Sequence, residues 1–264
     1  IGDLVVERTF LTKTLTLGGS PHSANQAGTQ MYQIPGLSDR YKLVWVAGDG
    51  GKPGINADIE SATANTREVA DRNFEVLGTN GSSDDVTLMC AGGITLITDG
   101  ASADSLIILP HLDTNQTAWN YCKWGTDHQT EWEAVISTTN VPNSPYDMTD
   151  CYIWAGLKLT NSPSVETDAD QVFFEYYDEC GTWQVIYSIA GTDYIVDSGV
   201  DVEGAKTYHL KISIDADRMA HCYINGTLIT TSAPLTTDIE LIPYIGIYAD
   251  AAEAKELHIR GQAI

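Results

Sequence analysis

The stretch YHLKISIDADRMAHCYINGTLITT, Tyr208–Thr231, decides the fold. Leu210, Ile212 and Ile214 alternate with Lys211 and Ser213. Successive side chains of an extended chain point to opposite faces, so this run has one buried and one wet face. Asp215-Ala-Asp217-Arg218 supplies a turn into a second strand, Ala220 to Ile224. Asn225-Gly226 then closes another hairpin, because both residues tolerate the positive φ of a type I′ turn. Outward from this unit, residues 84–264 are a procession of short segments rich in β-branched and aromatic residues. They are Val86–Ala91, Ile94–Thr98, Leu106–Leu109, Glu131–Ser137, Tyr152–Leu159, Val172–Tyr177, Trp183–Ile189, Leu241–Tyr248 and Glu256–Arg260. Gly, Asn, Asp and Pro punctuate them, as in Asn80-Gly81, Gly92-Gly93, Asp99-Gly100, Ser162-Pro163 and Gly191-Thr192. Many short strands at such spacing predict a sandwich or barrel.

The first 83 residues read differently. Thr12–Leu17 and Tyr41–Ala47 are expected strands, Gly18–Gly28 is turn-rich and Gly48–Gly54 is a glycine-rich loop. From Asn56, an N-cap candidate, Ile59, Ala62, Val69 and Phe74 recur at near-helical spacing and predict one helix ending before Gly78. Two domains are therefore expected: 1–83, an N-terminal arm with a strand and a helix, and 84–264, a β-sandwich.

Composition narrows the function. Fourteen Lys plus Arg against 36 Asp plus Glu give a net charge of −22. Nucleic acid and anionic membrane surfaces are bound through Lys and Arg, so neither is an expected partner. No apolar run reaches the roughly 18 to 20 residues of a membrane span, and the first residues lack the basic and apolar regions of a signal peptide. The five cysteines, Cys90, Cys122, Cys151, Cys180 and Cys222, are scattered without a close pair and are expected to be mostly free structural thiols.

The block from Tyr208 to Leu228, an aromatic-His start, an alternating strand, a polar turn and then Tyr223-Ile-Asn-Gly-Thr-Leu, resembles the concanavalin/laminin-G-like jelly-roll superfamily. Trp132–Ile136 resembles an early core strand of that fold, and Ile242–Ile247 with Leu257–Ile259 resembles its closing pair. The resemblance implies a mainly β jelly-roll sandwich over residues 84–264 and says little about function. A second resemblance covers most of the chain. Tyr41–Gly48, Gly51–Ile59, Phe74–Asn80, Leu109–Gln116, Ile153–Asn161 and Leu241–Gly246 are similar to segments of a structural protein of tailed bacteriophages from aquatic sources. That likeness implies a virion component.

Enzymatic patterns are weak. Glycosidases of the jelly-roll type carry carboxylates on alternate positions of one strand, so that both flank one glycosidic bond. In Glu131-Trp-Glu133-Ala-Val135 two acids share a face and Val135 breaks the series. There is no Gly-x-Ser-x-Gly elbow, no His-Glu-x-x-His motif and no phosphate-binding loop. No catalytic residue is assigned. His209 and His221 could face each other across a hairpin, but polar strand positions are the preferred explanation for them.

Two ligand classes remain. Hard oxygen donors are plentiful at Asp84, Asp85, Asp99, Asp104, Asp168, Asp170, Asp178 and Glu179, and a structural Ca²⁺ is conceivable there, with Asp84, Asp85, Asp168 and Asp170 the named candidates. No EF-hand spacing occurs, and a solvated acidic face explains the same residues. Trp119, Tyr121 and Trp124 cluster in Thr114–Asp127 and form a candidate glycan platform or subunit contact, whereas Trp132, Trp154 and Trp183 read as core.

The leading expectation is a non-enzymatic decoration or cement protein on the outer capsid surface of a phage. It would dock through residues 1–83 on the major capsid protein or other virion proteins, as a homo-oligomer with a trimer preferred. Its acidity favours an outward position, away from packaged phosphates. The alternative is a carbohydrate-binding adhesin, on a tail or fibre or as a secreted lectin-like module, with a host-surface glycan as ligand.

Overall fold

A computed structural model describes residues 28–33, 41–46, 59–61, 74–81, 85–88, 93–110, 124–139, 148–160 and 168–264. Among the described residues, seventeen strands, β1 to β17, build two sheets. The first runs β1(Gly28–Gln33), β2(Tyr41–Val46), β17(Glu256–Ala263), β8(Glu131–Thr138), β13(Thr207–Ile214), β14(Met219–Ile224), β15(Thr227–Pro234), with β6(Ile94–Ile97) also on β17 and β5(Val86–Leu88) on β6. The second runs β12(Thr192–Asp201), β11(Thr182–Ile189), β10(Gln171–Tyr177), β9(Cys151–Lys158), β16(Ile242–Ala249), β7(Asp104–Pro110), β4(Phe74–Leu77), β3(Ile59–Ser61). Every pairing between these strands is antiparallel except β3 with β4. Strands adjacent in space come from distant parts of the chain, as in β8 beside β13 and β9 beside β16. The molecule is a jelly-roll-type β-sandwich.

The diagnostic hairpins form as their sequence requires. Leu210, Ile212 and Ile214 are buried, and Asn225 and Gly226 have φ of 51° and 80°. Asn225 Oδ1 also accepts the His209 N–H at 2.9 Å, which fixes the register of β13 on β14. Between the sheets lies the main core, with Trp132, Phe174, Trp183, Tyr208, Ile245 and Leu257 among its members. Trp183 meets Tyr208 edge-on at 5.5 Å. The Tyr208 hydroxyl accepts the Glu203 N–H at 2.7 Å and donates to Asp201 O at 3.0 Å, so its polar tip is satisfied while its ring fills the core.

Among the described residues before 84, β2 pairs with β17 and β4 with β7, so these strands widen both sheets. The expected helix over 56–77 is corrected. Its described parts, Ile59–Ser61 and Phe74–Leu77, are parallel strands, and residues 62–73 lie outside the described residues. Val76 enters the main core while Leu77 points into a cluster on the opposite face, a period of two rather than 3.6. The open edge of β7 offers backbone partners and two apolar faces, and that tertiary demand overrides local periodicity. The strand β12 was not expected from Thr-Asp-Tyr-Ile-Val-Asp-Ser-Gly-Val-Asp, whose Gly and Asp residues read as turns. The expected strand Thr12–Leu17 and the loop Gly48–Gly54 lie outside the described residues.

Candidate functional site

The second sheet is apolar on both faces. Along β9, Ile153, Ala155 and Leu157 point to the main core. Trp154 points the other way, into a second cluster with Leu77, Ile107, Leu109, Phe173, Ile186, Ile242 and Tyr244. Strand register carries this outer face across the sheet. Asp197, Gln184, Glu175, Trp154, Gly246, Ile107 and Leu77 lie in one cross-strand row. Tyr177, Tyr152, Tyr248 and Ser105 form the next.

The second of those rows creates an aromatic cluster at one end of the sheet. Tyr152 stacks on Tyr177 at 5.8 Å with 17° between the planes, and meets Tyr248 edge-on at 5.3 Å. Trp154 lies 6.4 Å from Tyr152 and 5.9 Å from Tyr248. The three tyrosines are half-buried, whereas Trp154 is 8% exposed. Its indole Nε1 donates to Glu175 Oε1 at 2.9 Å, which locks the ring and holds the buried carboxylate.

Acidic turns border the cluster. Asp178 and Glu179 follow β10, Asp150 precedes β9 and Asp250 follows β16. They are tied together: the Asp150 N–H donates to Asp178 Oδ2 at 2.7 Å, the Asp250 N–H donates to Asp150 O at 2.9 Å, and Tyr248 Oη donates to Asp250 Oδ1 at 3.3 Å. Burial and then the negative field of Asp250, Glu179, Asp178 and Glu175 push the Tyr152 hydroxyl above its ordinary pKa, so it stays a neutral donor. Contact with the Cys180 thiol, with burial second, raises the Tyr177 hydroxyl to about 12. Rigid aromatic faces beside fixed carboxylates and hydroxyls suit a ligand with an apolar face and a rim of hydrogen-bonding groups.

The residues singled out from the sequence fall elsewhere. Trp124 is only 6% exposed and belongs to the main core, drawn in by the Leu241 N–H donating to its carbonyl at 2.9 Å. It offers no open ring face. Trp119, Tyr121 and Asp84 lie outside the described residues. Trp132 and Trp183 lie in the main core and Trp154 in the second core cluster, on the outer face of the sheet, so all three are buried as read. The outer cluster was missed because its members come from β9, β10 and β16, and only register unites them. The signal available was the alternation Tyr152, Trp154 against Ile153, Ala155, apolar on both faces.

Two of the calcium candidates, Asp168 and Asp170, accept hydrogen bonds within the protein. Asp168 accepts from Thr160 N–H at 2.9 Å and Thr160 Oγ1 at 2.7 Å, and sits 4.0 Å from Lys158 Nζ. Asp170 accepts from the Ala190 N–H at 3.1 Å and from the Thr236 hydroxyl. Among the described residues, no group of three or more His, Cys, Asp or Glu side chains converges as metal ligands, and Asp85 belongs to no such group. Glu131 and Glu133 lie on the first sheet, not beside the aromatic cluster. Glu131 pairs with Lys211 at 3.0 Å, and Glu133 lies 3.3 Å from His209 Nε2. His221 does not face His209: it stands opposite Ser213, with Nε2 2.9 Å from Asp215 Oδ2. Cys151 and Cys222 are buried and Cys180 is exposed, burial pushing the Cys222 thiol up to about 12.

No protein-family model matches the chain, and no curated protein is similar to it in sequence. Among solved structures, carbohydrate-binding module CBM66 from Bacillus subtilis aligns at 11% identity with a TM-score of 0.42, over 70% of this chain and 94% of that one. A Bacillus licheniformis β-glucanase aligns at 11% identity and TM-score 0.48, over 71% and 90%. A protein of unknown function from Shewanella oneidensis MR-1 aligns at 10% identity and TM-score 0.48, over 97% and 91%.

Proposed function

We propose that the protein is a carbohydrate-binding module, its ligand resting on the aromatic cluster of the second sheet. The observation that carries this reading is the packing of half-buried Tyr152, Tyr177 and Tyr248 around Trp154, whose indole is fixed by Glu175. A pyranose presents an apolar C–H face and an equatorial ring of hydroxyls, and this surface provides ring faces for the first and oxygen acceptors for the second. Pre-oriented rings lose little entropy on binding. The reading is one of binding, and no chemical step is assigned to it. The virion placement implied by sequence resemblance draws no support from the comparisons.

A glycan array followed by calorimetry tests the proposal. Tyr177→Ala is expected to weaken the best glycan by about tenfold, the worth of one good aromatic contact, while leaving the melting temperature near that of the parent. A flat response of the parent protein across the array overturns the reading.

A further inference from the structure

We infer that the glycan taken by this site is an amino sugar with free, protonated amines rather than a neutral or acidic one. The inference rests on the carbohydrate-binding reading and names its ligand class. Three carboxylates at two strand ends border the same aromatic group, Asp178 and Glu179 in the turn after β10 and Asp250 after β16, and the carboxylate of Glu175 lies buried within β10 beneath it. Hydrogen bonds through Asp150 hold the two turns together, so Asp178 and Asp250 are fixed beside the rings rather than independent surface charges. Aromatic faces attract cations through their quadrupole, most strongly where the cation is partly desolvated. Carboxylates beside the rings add a direct Coulomb attraction whose range is set by the ionic strength. An acidic sugar would meet the like charges of Asp178, Glu179 and Asp250. A neutral sugar would leave the attraction unused. A sugar ring bearing an ammonium group places its C–H face on the tyrosines and its charge against these carboxylates, which matches every feature of the cluster.

The full chain is titrated by calorimetry at low salt and pH 5.5 with two probes of equal length, a β-1,4-linked glucosamine hexamer and its fully N-acetylated counterpart. The glucosamine hexamer is expected to bind at least about tenfold more tightly, and 0.5 M salt to abolish most of that preference. The isosteric pair Asp178→Asn and Asp250→Asn keeps the hydrogen-bond geometry and removes two charges, and should lower glucosamine binding by about tenfold while sparing the acetylated probe. Asp217→Asn with Glu203→Gln, exposed and remote from the cluster, is the control for the overall charge of the chain. Equal binding of the two probes overturns the inference, as does loss of glucosamine binding to the same degree in the control pair. In either case Tyr177-dependent binding of neutral glycans would leave the carbohydrate reading standing. Absence of binding to any glycan would remove both.

Discussion

At the scale of single residues, two glycines show how one substitution meets two different obstacles. Gly226 has φ of +80° and open space where a Cβ would sit, so Gly226→Ala costs only the left-handed conformation, about 1 to 2 kcal/mol. Gly156 lies in β9, where a Cβ would stand 2.5 Å from Phe173 Cα and from Val172 O. Backbone cannot yield as a side chain does, so Gly156→Ala must part β9 from β10 and should cost about 3 kcal/mol or more. Urea unfolding of the two variants checks the order, and a smaller loss at Gly156 would contradict this packing. Because β9 carries Tyr152 and Trp154, Gly156→Ala should also weaken glycan binding, whereas Gly226→Ala should not. The Asn225-Gly226 turn was legible in the sequence because its chemistry is local. The requirement for glycine at position 156 was not, since it depends on which strand lies alongside.

At the scale of elements, carboxylates pin two hairpins. Asp215 Oδ1 accepts the N–H groups of Asp217 and Met219, each at 2.9 Å, and its other oxygen faces His221. The contact with His221, then the backbone donors, holds Asp215 below its ordinary pKa. Asp197 is held low in the same way, first by the Gly199 N–H and then by Thr182 Oγ1, which ties the edge strand β12 to β11. For a lowered carboxylate, the contribution to stability is complete above the unfolded pKa of about 3.9 and disappears as pH falls through the folded value. Protection of the amides in the Ile214–Met219 and Thr182–Asp201 segments, relative to their intrinsic exchange rates at each pH, is therefore expected to fall between pH 5 and pH 2.5, before the core strands respond. Asp215→Asn, which cannot titrate, should remove the acid-dependent part at the first hairpin only. Parallel acid responses in variant and parent would show that this carboxylate does not hold the turn. Strand β12 itself, with Ile195 68% exposed, was hidden from sequence reading because an edge strand needs no buried face and tolerates Asp and Gly.

At the scale of the whole molecule, the charge of −22 acts on stability as well as on partner choice. Like charges at the surface repel, and salt screens them within about 10 Å at 0.1 M. The melting temperature should rise by a few degrees between 0.02 and 0.3 M NaCl, and a fall would indicate that attractive pairs dominate. The β class, the hairpin from Tyr208 to Thr231, the burial of Trp132, Trp154 and Trp183 and the net negative charge were all legible in the sequence. Each of these follows from local periodicity, turn chemistry or a sum over residues. Tertiary structure alone decided that strands from before residue 84 join both sheets and that Trp124 turns inward. It also gathered Tyr152, Tyr177, Tyr248 and Glu175 at one place. The physical reason is register: in an antiparallel sandwich the residues that share a face and a row are chosen by pairing between distant strands, and that choice is made by long-range burial rather than by neighbours in the chain.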